Sequence, residues 1–431
     1  MFIHNVEFSN FYSFYESSTL DFTTTKNKSS HSADLHAGRY VNKINGFFGA
    51  NGSGKTTALK AIAFIDFFAY SSFPGTEKDE NILIETHALH VGEPSEFKIE
   101  YSHLDDLFRY EFSILNGKVT RETLKFLNTE TKKFNSIFKR ELKETGYKNS
   151  SFHHANINKY LEMFGRENCS FASYVYYSEP SENLKKKTPL FYKAVSAFEH
   201  LRTNVVASGK NDDVPNALFE LSESLVGNEK VILRFIEEVV KNIDLGIESL
   251  EIKKIQVLDN KKMLEKDLIF ANHVDEAGEK YSISVFNEST GTQKILCALW
   301  RILPIMWSGG TAVYDELDSD LHPYMMPFVI DLFMNPEINL QKGQLIFSGH
   351  TLEAIKDLER SQIFFAEKNN LRSEIYRCDD LLGLRSDENI YKKYVQGALG
   401  GVPNLDATNI SLTEIIEEVI SSKEDENASK K

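Results

Sequence analysis

The stretch that decides the fold is GFFGANGSGKTTALKAIA, residues 46–63. Within it, Gly49–Thr56 fits the pattern G-x-x-x-x-G-K-[ST] at every fixed position. Glycine allows positive φ and a close approach of the backbone to another group. The apolar residues on either side predict a buried strand over 44–48 and a helix over 57–68. Because a loop between them would aim its N–H groups and the positive helix end at an anion, the stretch predicts a phosphate-binding loop.

This loop contributes the first candidate site residues. Lys55 would reach the β- and γ-phosphates of ATP, and the Thr56 hydroxyl would bind Mg²⁺. The alternative is a glycine-rich turn that matches the pattern by chance, so the assignment depends on finding a second half of the site. The predicted ATP-binding residues are Gly49, Asn51, Gly52, Ser53, Gly54, Lys55, Thr56 and Thr57.

Length and composition indicate a globular protein of several domains. At roughly 150 residues per domain, the 431 residues suggest two or three domains, and 41% hydrophobic and 12% aromatic residues are ample for packed cores. The net charge of −14 argues against a long-range attraction to nucleic acid. Contact with DNA stays open as an alternative through local lysine clusters, namely Lys185–Lys187 and the set Lys253, Lys254, Lys261 and Lys262.

Three features favour a cytoplasmic protein without a membrane contact. The longest apolar run, Ala61–Tyr70, is too short to span a bilayer and contains Asp66. The N-terminus shows no basic region followed by an apolar segment, as a secretion signal would. The cysteines Cys169, Cys297 and Cys378 lie far apart without metal-binding spacing, which suits a reducing compartment and predicts three small core residues.

Apolar periodicity predicts strands on both sides of the phosphate loop. Residues 2–22 alternate loosely and predict two strands. Residues 97–126 predict an antiparallel sheet with a tight turn at Asn116-Gly117. From about 128 to 275 the chain is rich in Lys, Glu and Asn and mostly helical in pattern, most clearly over Leu218–Asn242. Sustained heptads do not occur, so a long coiled-coil arm is not supported.

A short apolar strand that ends in adjacent acids predicts the second half of the site. It lies in TAVYDELDSDLHP, residues 311–323. Asp315 would hold Mg²⁺ through water, and Glu316 would orient and deprotonate the attacking water. Because Asp-Glu pairs are common, the dipeptide is a weak signal by itself and gains weight from the motifs that flank it.

Two motifs flank the acidic pair. Upstream, Ser289 and Gly291 precede a helix predicted from about 292 to 307, and a helix N-terminus with a hydroxyl and a glycine suits an anion. Downstream, His350 follows an apolar strand that begins at Gln344. Each has a plainer alternative, since serine commonly caps helices and a histidine at a strand end can be a core residue.

The order of these four motifs resembles that in the ABC-type ATPase heads of SMC and RecF-like proteins, over roughly residues 1–126 and 280–405. The resemblance implies an α/β fold, namely an ABC-type ATPase head with a mainly helical insertion. A mixed central sheet would carry the phosphate loop beside an antiparallel β subdomain. The implied domains are the N-terminal part of the head (1–127), the helical insertion (128–280), the C-terminal part of the head (281–405), and a C-terminal helix with a polar tail (406–431).

The resemblance also implies roles for the motifs. Each ATP would be contacted by the phosphate loop of one subunit and by the signature residues Ser289 and Gly291 of another, which makes the protein a homo-oligomer. Glu316 and His350 would be catalytic, with His350 as the switch histidine. ATP and Mg²⁺ are the implied ligands, and the implied metal-binding residues are Thr56 and Asp315.

Three further stretches are similar to a narrower group: FKREL (138–142), IFFAEK (363–368) and YVQGALGGVP (394–403). They resemble bacterial ABC-type ATPases with AAA domains that accompany a nuclease or toxin in anti-phage defence, such as the ATPase subunit of PARIS. The retron-, Septu- and abortive-infection-associated ATPases are close alternatives. The resemblance implies an ATPase that responds to a phage protein and holds or releases a separate effector, such as a Toprim-like nuclease.

The chain departs from the family pattern in two places. Thr290 stands where transporters have glycine, and no glutamine occurs between Thr56 and Gln256 to serve as the Q-loop residue. These departures bear on the rate of hydrolysis more than on nucleotide binding. An SMC/RecF-like DNA-repair or DNA-scanning clamp is the alternative function, which the acidity of the chain disfavours. A nuclease domain within this chain is disfavoured because only 81 residues follow His350.

Overall fold

A computed structural model of the protein describes residues 1–24, 31–34, 40–143, 146–151, 155–206, 209–210, 214–224, 230–242, 246–259, 262–275, 277–319, 321–323, 325–385, 387–402, 415–417 and 420. Some sequence predictions therefore lie outside the described residues. They concern Lys261, Pro403, the polar tail 421–431 and most of the predicted C-terminal segment 406–431.

The secondary structure follows in chain order. The strands are β1 (Phe2–Ser9), β2 (Ser18–Asp21), β3 (Thr23–Thr24), β4 (Ser32–Asp34), β5 (Tyr40–Asn42), β6 (Ile44–Gly49), β7 (Ser95–His103), β8 (Asp106–Leu115), β9 (Lys118–Asn128), β10 (Lys133–Lys143), β11 (Gly146–Ser151), β12 (Leu201–Thr203), β13 (Val205–Val206), β14 (Gly209–Lys210), β15 (Ser249–Asp259), β16 (Lys262–Val274), β17 (Lys280–Ser284), β18 (Thr311–Tyr314), β19 (Gln344–Ser348), β20 (Ile363–Asn369) and β21 (Arg372–Arg377). The α-helices are α1 (Lys55–Asp66), α2 (Ser72–Gly75), α3 (Ala155–Met163), α4 (Phe171–Ser178), α5 (Ser181–Lys187), α6 (Pro189–Ser196), α7 (Val214–Ser224), α8 (Lys230–Asn242), α9 (Thr290–Ile302), α10 (Ile305–Ser308), α11 (Met325–Met334) and α12 (Ile390–Val395).

The strand that precedes the phosphate loop, β6, lies inside a six-stranded sheet of order β12–β18–β19–β6–β20–β21. Its neighbours β19 and β20 both run parallel to it, and β21 closes one edge in the antiparallel direction. Every residue of β18 and β19 is buried, as is every residue of β6 but the last. Parallel strands that are covered on both faces show this continuous burial. The strand predicted over 44–48 is therefore confirmed.

Helix α1 lies between the central sheet and a second, antiparallel sheet of order β11–β10–β9–β8–β7–β1–β2. Aromatic rings join α1 and the turn after it to the antiparallel sheet. The ring centroids of Phe64 and Phe97 are 5.0 Å apart, and those of Phe68 and Phe112 are 4.1 Å apart. Such pairs contribute ~0.5–1.5 kcal/mol beyond the burial of their area. The phosphate loop thus leads into a helix that is fixed on two sides.

The antiparallel sheet agrees with the sequence prediction in detail. The turn between β8 and β9 is the predicted Asn116-Gly117, and its φ angles of 52° and 73° are those of a type I′ turn, which matches the twist of the flanking strands. The two strands predicted within residues 2–22 are present as the antiparallel pair β1 and β2. Together the two sheets confirm the predicted α/β fold, with a mixed central sheet beside an antiparallel β subdomain.

The segment from 128 to 280 is not mainly helical, so this part of the prediction is wrong. The segment begins at the β9–β10 hairpin, and β10 and β11 extend the antiparallel sheet. It ends in a separate three-stranded sheet, β15–β16–β17. Helices α3–α8 and the short strands β12–β14 lie between these two parts. Lysines and glutamates caused the error, because these helix-favouring residues also occupy strand positions between Leu, Ile and Phe in β10, β15 and β16.

Several helices differ from their predicted bounds. Helix α1 begins at Lys55, two residues early, and passes after Asp66 into a π-helical turn, Phe67–Ser71. Helix α9 ends at Ile302, because Pro304 cannot donate a backbone hydrogen bond. The amphipathic stretch predicted as one unit forms two helices, α7 and α8. Within the described part of the chain, no helix is both long and apolar enough to cross a bilayer.

The three cysteines are free and buried, as predicted. Burial raises the pKa of Cys169 and Cys378 to about 11 and that of Cys297 to about 12. Their thiols therefore remain protonated at neutral pH and serve as small apolar groups in the core.

A buried ion pair joins the helical part of the insertion to the antiparallel sheet. Arg140 on β10, from the FKREL stretch, donates through Nε to Glu122 on β9 at 2.7 Å, and the two side chains are 1% and 0% exposed. Arg140 also donates to the Cys169 carbonyl at 2.6 Å. Glu122 accepts the backbone N–H groups of Phe171 and Ala172 at 2.9 and 3.2 Å. The Glu122 carboxylate thus accepts hydrogen bonds both from the Arg140 guanidinium and from the backbone N–H groups at the N-terminus of α4.

Removing one partner of this pair should destabilise the protein strongly. Arg140→Ala leaves the Glu122 carboxylate buried without its cation, and breaking a buried pair in this way costs about 3–5 kcal/mol of unfolding free energy. The matched control is Arg121→Ala on β9. The Arg121 side chain is 44% exposed, and that of its partner Glu96 is 53% exposed. Such exposed pairs contribute at most about 1 kcal/mol. Chemical denaturation measures the free energy of unfolding of both variants. Equal losses would contradict the stabilising role of the Glu122–Arg140 pair.

Candidate nucleotide-binding site

The predicted phosphate loop lies where β6 ends and α1 begins. Gly49 is the last residue of β6 and pairs with Ala366 of β20. A Cβ atom at Gly49 would collide with the Ala366 carbonyl oxygen, so this position requires glycine. The loop borders an open cleft of about 610 Å³. The predicted residues that line this cleft are Asn51, Gly52, Ser53, Gly54, Lys55, Thr56 and Thr57.

Lys55 is held by the backbone of its own loop. Its Nζ donates to the carbonyl oxygens of Gly49 at 2.7 Å and of Ala50 at 3.1 Å. Burial lowers the pKa of Lys55, while the carboxylates of Asp315 and Glu316 beside it favour the charged form. A lysine at the first turn of a helix adds its charge to the free N–H groups there, which is the chemistry of a phosphate site.

Thr56 and Asp315 meet at the base of the cleft. The Thr56 hydroxyl donates to Asp315 Oδ2 at 2.9 Å, and Asp315 is 2% exposed. The second Asp315 oxygen accepts a hydrogen bond from the Ser348 hydroxyl. Hydroxyl and carboxylate oxygens are the ligands that Mg²⁺ prefers. In addition, the buried Ser53 hydroxyl has no hydrogen-bond partner within the described residues. The residues therefore fit a nucleotide with Mg²⁺ held by Thr56 and Asp315.

Asn204 holds the backbone of Asp315, the residue directly after β18, and the sequence did not predict this contact. Its Oδ1 accepts the Asp315 backbone N–H at 2.7 Å, and its Nδ2 donates to the Asp315 carbonyl at 3.0 Å. Asn204 follows β12, which pairs in parallel with β18 at the edge of the central sheet. A single asparagine in a long insertion has no motif around it, so the sequence offered no signal for this contact.

Glu316 and His350 lie at the mouth of the same cleft. His350 Nε2 is 3.7 Å from Glu316 Oε1, and the side chains are 45% and 38% exposed. Glu316 has a φ of 48°, a left-handed conformation that is strained for a residue other than glycine and is concentrated at functional sites. Its backbone N–H donates to Ser348 Oγ at 2.8 Å. The His350 backbone N–H donates to Asp318 Oδ2 at 2.7 Å, which fixes the segment after β19.

The signature residues lie elsewhere. Ser289 caps α9, since its Oγ accepts the Thr292 backbone N–H at 3.1 Å. The Gln293 side chain donates to the carbonyls of Phe286 and Glu288 and fixes the approach to this cap. Among the described residues that line the cleft, neither Ser289 nor Gly291 occurs. The structure thus brings together the phosphate loop, the acidic pair and the histidine, and leaves the signature pair outside.

The cleft is also lined by residues that lie outside the four predicted site motifs. Tyr12 has its ring 4.2 Å from Lys60 Nζ, measured to the ring centroid, and its backbone N–H donates to the Glu85 carbonyl at 2.9 Å. Tyr12 lies within residues 2–22, for which the sequence predicted only strands. Lys368 is the lysine of IFFAEK. The additional lining residues are Tyr12, Ser13, His87, Ala88, Leu89, Lys368 and Leu371.

Comparison with known proteins agrees with this geometry. A family model described as "AAA domain, putative AbiEii toxin, Type IV TA system" matches residues 44–356, which is more than half of the chain. The match begins at β6 and extends past His350, so it contains every predicted site residue. None of the curated proteins matches the chain. The chain therefore belongs to this family of AAA ATPase domains, which is linked to toxin–antitoxin and abortive-infection systems.

Proposed function

We propose that this protein binds and hydrolyses ATP in the cleft beside the phosphate loop and uses the ATP cycle to control a separate effector. The observation that supports the proposal most strongly is the contact between Thr56 and Asp315. These residues come from different halves of the chain, and their side chains meet within hydrogen-bonding distance beside Lys55. A structural loop would not need a cation, a hydroxyl and a buried carboxylate to converge on an open cleft.

The arrangement suggests how hydrolysis would proceed. Lys55 and the loop N–H groups would bind the phosphates, and Mg²⁺ on Thr56 and Asp315 would neutralise charge on the phosphate oxygens. A water oxygen attacks the γ-phosphorus, the bond from that phosphorus to the bridging oxygen breaks, and ADP leaves. Glu316 accepts the proton of this water. His350, near Glu316, would donate a hydrogen bond to the γ-phosphate.

The exposure of the catalytic candidates supports a site shared between two copies of the chain. Glu316 and His350 are both open to solvent, whereas phosphoryl transfer benefits from a closed site without bulk water. Ser289 and Gly291, which lie outside the cleft, would cover the nucleotide of a partner copy. Two nucleotides would then be enclosed between two heads, and each would need both subunits.

The family description supports a role in a defence system with a toxic partner. We propose that the partner is a nuclease, for instance of the Toprim type, and that a phage protein triggers its release in the cytoplasm, as in PARIS. The insertion is a suitable contact region for such partners. Asn204 links it directly to Asp315, so a partner on the insertion would affect the acidic strand.

Two variants separate ATP binding from ATP hydrolysis. Lys55→Ala should lose most ATP affinity because the phosphate contact is removed. Glu316→Gln should keep ATP affinity and slow hydrolysis by about 10²–10⁴-fold, because an amide cannot accept the proton. Isothermal titration with ATP and a phosphate-release assay measure the two effects, with Glu337→Gln on the exposed surface as control. Unchanged ATP affinity in Lys55→Ala would refute the proposed site.

A third variant tests the shared site. Ser289→Arg should leave ATP affinity of the single subunit nearly unchanged and abolish ATP-dependent association, because the arginine places bulk and positive charge against the partner's phosphate loop. Light scattering with and without ATP, in the Glu316→Gln background, measures the mass in solution. Ser289→Asn, which preserves a capping side chain, controls for the loss of the α9 cap. Hydrolysis by a strict monomer, at a rate per subunit independent of concentration, would disprove the shared site.

A further inference from the structure

The glycine segment, residues 397–402, lies against the point where β6 becomes the phosphate loop. Gly49 and Ala366 form the last pair between β6 and β20, and Gly401 packs across this pair. A methyl group at Gly401 would lie 3.2 Å from the Ala366 carbonyl oxygen and 3.6 Å from Gly49 Cα. Gly401 is buried. The phosphate loop therefore has a backbone support that comes from the C-terminal region of the described chain.

Tyrosine side chains hold the glycine segment in place. The Tyr394 hydroxyl donates to the Gly401 carbonyl at 3.1 Å, and the Tyr376 hydroxyl donates to the Leu399 carbonyl at 2.7 Å. The Tyr394 ring stacks on Phe365 of β20, with centroids 4.8 Å apart and an interplanar angle of 11°. Leu399 is 6% exposed and belongs to the core of the central sheet. Two hydroxyl groups, a ring stack and a buried leucine fix this segment against the end of the sheet.

The carbonyl oxygen of Gly49 links the contact between Gly401 and the Gly49–Ala366 pair to Lys55. The carbonyl oxygen of Gly49 is the closer of the two that hold Lys55 Nζ, at 2.7 Å. A displacement of Gly49 would therefore move the ammonium group away from the position at which phosphate is bound. Gly49 has little free space around it, because a Cβ atom at this position would collide with the Ala366 carbonyl oxygen and lie 2.7 Å from the Ser53 hydroxyl oxygen.

We propose that Gly401 is a positioning residue for nucleotide binding, which acts on Lys55 through the paired residues Ala366 and Gly49. Tyr394 supports it by holding the Gly401 carbonyl. The inference rests on the proposed function, since it assumes that Lys55 binds the phosphates. Because binding equilibria are coupled reciprocally, a nucleotide on Lys55 should in turn stabilise the glycine segment.

A pair of glycine substitutions isolates this contact. Gly401→Ala introduces a methyl group at a φ of 68° and 3.2 Å from the carbonyl oxygen of Ala366, the residue that pairs with Gly49. Gly397→Ala introduces a methyl group at a similar φ of 76° with no described atom within 4 Å. Both variants should lose stability through the left-handed conformation, and Gly401→Ala should lose more because of its close contact with the Ala366 carbonyl oxygen. Only Gly401→Ala should also bind ATP more weakly, by roughly tenfold, which corresponds to about 1.4 kcal/mol. Isothermal titration with ATP and thermal unfolding measure the two quantities.

Tyr394→Phe provides a milder variant in case Gly401→Ala folds poorly. It removes the hydrogen bond to the Gly401 carbonyl and keeps the ring on Phe365, so ATP affinity should fall by a smaller factor. Hydrogen exchange is the reciprocal readout. ATP should slow exchange of the amides of residues 397–402 in the unmodified protein and not in Lys55→Ala.

The possible outcomes distinguish this inference from the proposed function. If the unmodified protein binds ATP and Lys55→Ala does not, the proposed function stands. Equal ATP affinity in Gly401→Ala and Gly397→Ala would then overturn the positioning role alone, as would exchange in residues 397–402 that ATP leaves unchanged. If Lys55→Ala binds ATP as well as the unmodified protein does, both the proposed function and the positioning role are overturned.

Discussion

The parallel pairing of β6 between β19 and β20 is the constraint on which the rest of the structure depends. It places the carboxyl end of β6, where the phosphate loop starts, beside the end of β19, which is Ser348 and is followed by His350. Strand β18 continues the sheet and delivers Asp315 and Glu316 to the same edge. In an open α/β sheet the crevice at this edge is the usual place for a ligand. The order and direction of the strands alone therefore place the cleft at this edge of the sheet.

The insertion is tied to this head at two places rather than joined as a separate module. The Glu122–Arg140 pair holds the N-terminus of α4 on the antiparallel sheet. Further along the insertion, β12 pairs with β18 in the central sheet, and the Asn204 side chain forms hydrogen bonds with the backbone of Asp315. Since Asp315 is buried and fully engaged, small displacements of the insertion would change its position. A partner of the kind proposed, if bound to the insertion, would then act on the position of Asp315 without touching the nucleotide.

The sequence predicted the parts of the fold and site that depend on local pattern. The phosphate loop, the acidic pair and the Asn116-Gly117 turn each have a short signature with a direct physical cause, and the structure contains each of these elements where predicted. Three features escaped prediction because they depend on contacts between distant residues. Asn204 and Gly401 contact residues far along the chain. The strands within 128–280 were not predicted because lysine and glutamate, which favour helices, occupy many of their positions. The composite site and the roles of individual residues remain predictions.

The order of the strands has a consequence for synthesis of the protein. Ile44 of β6 pairs with Leu345, and Gly46 pairs with Ile363, so neither neighbour of β6 exists when β6 leaves the ribosome. At about 5–20 residues per second, the interval is on the order of 15–60 s, during which an apolar strand has two open edges. Such edges are prone to aggregate and are natural chaperone targets. A chain interrupted before β20 would also lack one wall of its phosphate loop, so incomplete copies should bind no nucleotide.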